Sequence, residues 1–152
     1  MDVRMKSLHL ATADDLPKLL PMVAGFHAEM EFGTDAEHHR AAIQPLLDGS
    51  PHGAIWLIGP RRAPVGYIAI TFGWSLEFGG LDAIVDEIYI RPAVRGRGMG
   101  GEAVHGIAMA LKDAGVRALH LEVDREDDKA QTFYARNKFK ARDGYIFMSR
   151  VL

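Results

Sequence analysis

Two adjacent carboxylates, Asp86 and Glu87, stand inside the apolar run Ala83-Ile84-Val85-Asp86-Glu87-Ile88-Tyr89-Ile90. A carboxylate is costly to bury unless it is paired or used, so the pair marks a candidate for proton transfer or for holding a cation. Adjacent strand residues point to opposite faces, so at most one of the two should enter a given pocket. A second chemical stretch follows, Arg95-Gly96-Arg97-Gly98-Met99-Gly100-Gly101. Its alternate glycines leave no Cβ between main chain and ligand, and its two arginines add fixed positive charge suited to phosphate oxygens. Set between a strand and a helix start, such a turn aims several N–H groups and the positive end of a helix dipole at one point. It reads as a pyrophosphate cradle.

The elements that must hold these residues follow from periodicity. Ala83–Ile90 is a strand rich in Ile and Val, and Pro92, with no N–H for a ladder, ends it. A helical pattern runs from Gly101 to Ala114, with Val104, Ile107, Ala108 and Leu111 inward. Upstream, Lys6–Thr12 alternates as a short strand. Leu16, Leu19, Leu20, Val23, Phe26 and Met30 recur at three- and four-residue steps, which predicts a helix over Asp15–Glu31. A second helix spans Asp35–Leu47. Ala54–Ile58 and Val65–Phe72 read as strands forming an antiparallel meander with Ala83–Ile90, and Gly66 and Gly73 suggest a bulge or a close backbone approach. Ala118–Val123 follows a helical crossover and should lie parallel to Ala83–Ile90. Asp127 or Asp128 caps a last helix through Asn137, and Phe139 with Gly144–Leu152 supplies one or two closing strands. The expectation is one mixed α/β domain over residues 1–152.

Composition excludes several classes. A net charge of −2 gives no global basic field for nucleic acid or membrane. With no cysteine there is no disulfide, no Cys-ligated zinc and no acyl-cysteine intermediate. The seven histidines show no metal-ligand spacing, so no metal is expected. No 18-residue apolar run occurs, and MDVRMKSLHL lacks the long apolar core of a signal peptide, which together imply a cytoplasmic setting.

Gly96, Gly98 and Gly101 satisfy the dinucleotide spacing G-x-G-x-x-G, with Glu122 at a strand end downstream. That fingerprint normally opens its fold, whereas 95 residues precede Gly96 here and 56 follow it. The alternative spacing R-x-x-G-x-G is met by Arg95, Gly98 and Gly100. With the strand ending IYIRPAVRGRGMG, the strand Leu121-Glu122-Val123 and the closing DDKAQTFYARNKF, the chain resembles the GNAT superfamily of acyl-CoA-dependent N-acyltransferases. Ala130, Tyr134 and Phe139 fall in register with the family's usual ending, while Asp127 replaces a customary Asn and Lys138 a customary Gly.

The resemblance implies a mixed, splayed central sheet of six to seven strands flanked by about four helices. It implies acetyl-CoA as acyl donor, with its pyrophosphate on the amides of Arg95, Gly96, Arg97, Gly98, Met99, Gly100 and Gly101. The pantetheine arm would run along Ile88, Tyr89 and Ile90 as an added strand, and Asp127 takes the position of the Asn that supports it. Transfer to an amine needs a neutral nucleophile, yet an alkylammonium has a pKa of roughly 10. Glu87 is the favoured base or water-positioner and Asp86 the partner of a substrate ammonium. Tyr134, in register with the family motif, is the proton donor to the leaving thiolate. Glu77, before the strand, borders the acceptor side. These acidic residues and the segment GYIAITFGWSLEFGG look most like the small-molecule branch that includes spermidine/spermine and diamine N-acetyltransferases. A protein N-terminus or lysine remains open as acceptor, as does a non-catalytic acyl-CoA or dinucleotide module, and a homodimer is allowed.

Overall fold

The computed structural model describes residues 7–152. The expected start of the first strand, Lys6, lies outside the described residues. The elements run β1 (Leu8–Leu10), α1 (Leu16–Glu29), α2 (Ala36–Leu47), β2 (Gly53–Ile58), β3 (Gly66–Ser75), β4 (Gly80–Ile90), α3 (Met99–Asp113), β5 (Ala118–His120) and α4 (Asp128–Arg136). The strands form one sheet in the order β1-β2-β3-β4-β5, antiparallel except for the β4–β5 pair. That parallel pair follows from the helical crossover through α3. The chain divides into two compact units, one ending at Glu122 and the other spanning Val123–Leu152.

In the first unit, α1 and α2 cover one sheet face. Leu16, Leu19, Met22 and Val23 of α1 and Ile43 of α2 pack with Ile55, Leu57, Tyr67, Ala69 and Tyr89. Each fully buried aliphatic side chain in this cluster contributes about 1.5–3 kcal/mol over an exposed one. The opposite face carries α3, whose Ala110 and Leu111 lie beside Trp56, Phe72 and Leu81. Gly66 sits where a methyl group would overlap the Tyr89 carbonyl, the close approach expected of that glycine, whereas Gly73 faces only the Asp82 carboxylate.

One irregularity decides the orientation of the carboxylates. Ile70 pairs with Val85 and Ala69 with Glu87, so Asp86 is an extra, unpaired residue in β4. This β-bulge breaks the alternation, so Glu87 leaves the Val85 face and joins Tyr67 and Tyr89 on the α1/α2 face. A second feature is the splay. β5 pairs only with Asp82–Ile84, so no strand among the described residues continues along Val85–Ile90 on that side.

The closing strands do not form. Residues 139–152 contain no strand, so the sheet has five strands among the described residues and not six or seven. Tyr145, Ile146, Phe147 and Met148 are good strand formers, yet all are exposed. The unit they belong to offers one helix and no strand to pair with. Likewise Leu121–Val123 lies outside β5, which stops at His120.

Candidate active site

Glu87 is the carboxylate of a hydrogen-bonded row on the α1/α2 face. The Tyr67 hydroxyl donates to one carboxylate oxygen at 2.8 Å, and Nε2 of His27 meets the other at 2.7 Å. Nδ1 of His27 is 2.7 Å from the Thr34 hydroxyl, which is also 2.7 Å from Nε2 of His39. Local structure explains each position. His27 is in the last turn of α1, after which Glu31 and Gly33 take left-handed conformations and turn the chain back. That turn sets Phe32 edge-on to the His27 ring at 5.0 Å, with Phe26 at 5.9 Å and His39 at 4.7 Å. The side chains of His27 and Glu87 remain 13% and 16% exposed, shielded yet within reach of a ligand. Burial lowers the pKa of His39, helped by the neighbouring His27 and His38, and so favours its neutral form. Burial drives the Tyr67 hydroxyl far up, and the Glu87 charge adds to this, so Tyr67 stays a donor.

The cradle is built as a left-handed turn leading into α3. Gly96 and Gly98 have φ of +81° and +79°, and open space lies where their side chains would stand. Only glycine adopts this conformation freely. Gly98 caps α3, and Glu102 is the first residue to donate back, to Gly98 at 3.1 Å. The amides of Met99, Gly100 and Gly101 therefore point out of the helix end. Arg97 is exposed beside them. Arg95 is engaged elsewhere: its guanidinium grips Glu29 of α1 at 2.7 and 3.0 Å, donates to the Ile90 carbonyl at 2.7 Å and lies 5.4 Å over the Tyr89 ring. Its side chain ties the turn to α1, and its charge is partly neutralised.

The open edge of β4 can be read from its pairing. The Arg91 N–H donates to the Val65 carbonyl at 2.7 Å, so odd-numbered main-chain groups near the strand end face β3. Those of Ile88 and Ile90 face the edge that β5 leaves uncovered, while those of Tyr89 face β3. This edge, on which Arg95 already takes the Ile90 carbonyl, runs into a glycine-rich turn at a helix start and fits an extended amide chain that ends in a diphosphate. Asp86, at the bulge, is exposed. Glu77 stands in the β3–β4 turn, at least ~20 Å along the strand from Asp86 by strand rise, so the structure does not bring the two together. In the second unit, the Asp127 carboxylate accepts from the Ala130 amide at 3.0 Å and caps α4. Tyr134 packs against Phe133 and Phe139 at 5.0 and 5.7 Å, and burial, with the Asp127 charge, raises its hydroxyl pKa.

His27, Thr34 and His39 were not singled out by sequence reasoning. The available signal was positional: His27 falls four residues after Val23, on the otherwise apolar stripe of α1, and His39 falls four before Ile43 on that of α2. Among the described residues, no three His, Cys, Asp or Glu side chains gather as metal ligands, and no helix is long and apolar enough to cross a membrane.

Comparison with known proteins bears on this geometry. The family model described as Acetyltransferase (GNAT) family matches residues 21–139. An uncharacterised N-acetyltransferase of Mycobacterium bovis is 28% identical over 109 residues, covering 69% of this chain and 70% of that protein, and a Mycobacterium tuberculosis protein matches equally. Among solved structures, an integron cassette protein from the mobile metagenome of Cole Harbour Salt Marsh is 31% identical with a TM-score of 0.85, covering 99% of this chain and 93% of its own. A possible acetyltransferase from Clostridium difficile 630, at 20% identity and a TM-score of 0.83 over 95% and 97% of the two chains, shares the fold. The family match spans the later part of α1 with His27, the bulged strand and the cradle together, and this chain belongs to the GNAT acetyltransferase family.

Proposed function

We propose that this protein transfers the acetyl group of acetyl-CoA to a small cationic amine, by direct attack of the amine with both substrates bound. The observation that carries the reading is the bulge at Asp86. It turns Glu87 inward to Tyr67 and His27 on the same strand that offers an open edge and ends at the cradle. Bound along Ile88, Ile90 and the amides of the 95–101 turn, the coenzyme supplies an activated thioester carbonyl. Asp86, exposed beside Glu87, attracts the acceptor's ammonium; Glu77, at the hairpin turn, is too distant along the strand to share that role. Glu87 accepts the ammonium proton, directly or through one water, and the freed nitrogen bonds to the carbonyl carbon as the carbon–sulfur bond breaks. A strand N–H stabilises the developing oxyanion. Tyr134 gives its proton to the thiolate and recovers one, through solvent, as the nitrogen sheds its second proton on becoming an amide; burial raises the phenol's pKa, so it stays protonated until the thiolate forms. Asp127, which caps α4, stands at the position that by resemblance to the family supports the pantetheine arm.

Thiol release from acetyl-CoA tests this reading against a panel of spermidine, short diamines, aminoglycosides, lysine and N-terminal peptides. Release is expected with the small polyamines, and Glu87→Gln should lower kcat about 100-fold. Release with peptides alone would move the substrate to protein amines. Thermal stabilisation by NAD and not by acetyl-CoA would overturn the donor.

A further inference from the structure

The row Tyr67–Glu87–His27–Thr34–His39 is longer than a single base requires, and its hydrogen bonds run in one consistent direction. An ionised Glu87 accepts only, so Nε2 of His27 carries the proton between them. Nδ1 of a neutral His27 then accepts from the Thr34 hydroxyl, whose oxygen accepts from Nε2–H of a neutral His39. Every donor points toward the carboxylate. The titratable groups against His27 are Glu87 of β4 and His39 of α2; behind them, Tyr67 of β3 bonds Glu87, and the charges of Asp35 and His38 act on His39. One proton added to this row goes to Nδ1 of His27, because that ring is in contact with the carboxylate, whereas the buried His39 reaches it only through Thr34. The Thr34 oxygen then accepts from both rings, and its own hydrogen swings aside.

We propose that His27 is a positioning residue that sets the charge state around Glu87 and thereby the acid limit of catalysis, with Glu87 fixing its tautomer and Thr34 and His39 partnering its Nδ1. With His27 neutral, its Nε2–H orients the carboxylate and leaves its remaining lone pairs basic. With His27 protonated, the carboxylate is one half of an ion pair and a poorer acceptor for the substrate's proton. This inference rests on the reading of Glu87 as the base.

The experiment records kcat/KM against pH for the wild type, Glu87→Gln and His27→Gln, using acetyl-CoA and the best amine of the panel. Glutamine at 27 keeps an N–H for Glu87 but cannot take up the proton. His27→Gln should lower the alkaline plateau by less than tenfold and move the acid limb down by about one pH unit or more. Histidine-selective 15N NMR of the wild type gives a readout independent of turnover and of any variant's folding. At pH 8.5 the His27 ring should be the Nε2–H tautomer, in the wild type and in Thr34→Val alike, because the Glu87 carboxylate can only accept. A wild-type acid limb in His27→Gln, with Glu87→Gln inactive, would overturn the role of His27 alone, as would an Nδ1–H tautomer. Full activity in Glu87→Gln would instead remove the base itself.

Discussion

Asp15 and Glu87 are both carboxylates drawn out of solvent, and their partners divide them into structure and chemistry. Asp15 is 2% exposed and is held by the Thr12 amide at 2.9 Å, Arg61 at 2.8 Å and Lys18 at 3.6 Å. Burial pushes its pKa up, but the Thr12 hydrogen bond and the two cations outweigh burial and hold it below the usual carboxylate range. A folded group that is the stronger acid contributes stability above its unfolded pKa, near 3.8, and loses it as pH falls through the lower folded value. Asp15→Asn should therefore cost about 1–3 kcal/mol at pH 7 in urea unfolding and flatten the acid dependence below about pH 4. Glu87, by contrast, meets a phenol and an imidazole, groups that can share or exchange a proton. Its candidacy was legible in the sequence because a charge inside Ile-Val-rich residues stands out. His27 and His39 were not, because a histidine on an apolar helix stripe looks the same whether it is packed or paired, and their meeting at Thr34 depends on the turn between α1 and α2.

Strands and helices were legible as far as their periodicity reached. The α3 helix begins two residues before the expected Gly101, because Gly98 serves as its cap and Met99 and Gly100 already form its first turn. The β4 strand was plain, but its bulge was not: Ala-Ile-Val-Asp-Glu-Ile-Tyr-Ile reads as unbroken alternation, and only pairing with β3 shows Asp86 as the extra residue. The closing strands failed for a related reason, since a strand's propensity is realised only against a partner. At the cradle the element itself can be tested. Gly98 has φ +79° with open space around its missing Cβ, so an alanine there clashes with nothing and is penalised only through its backbone, by about 1–2 kcal/mol. If these amides hold the diphosphate, Gly98→Ala should weaken coenzyme A binding about tenfold or more by calorimetry, because the turn must open to relieve the strain. The folded protein should lose only a few degrees in Tm. Unchanged affinity would place the diphosphate elsewhere.

At the scale of the whole molecule, a net charge of −2 is too small to steer ligands over long distances, so attraction for the proposed cationic acceptor would come from carboxylates near the site. Asp86 is exposed on the bulge, and Glu87 next to it is only partly shielded. Such attraction acts over the screening length, about 10 Å at 0.1 M salt and about 3 Å at 1 M. Because each charge on the acceptor adds its own interaction, a polyamine should feel the loss of attraction more than a singly charged amine of similar size. Raising salt from 50 to 500 mM should increase KM for spermidine about threefold to tenfold with little change in kcat, and KM for a monoamine by less than twofold. Asp86→Asn should raise the low-salt KM for spermidine and reduce its salt dependence, since the charge being screened is the one removed. Equal salt dependence for both amines, or none lost in Asp86→Asn, would mean that shape and not charge selects the acceptor. The carboxylate beside the bulge would then have no part in recognition.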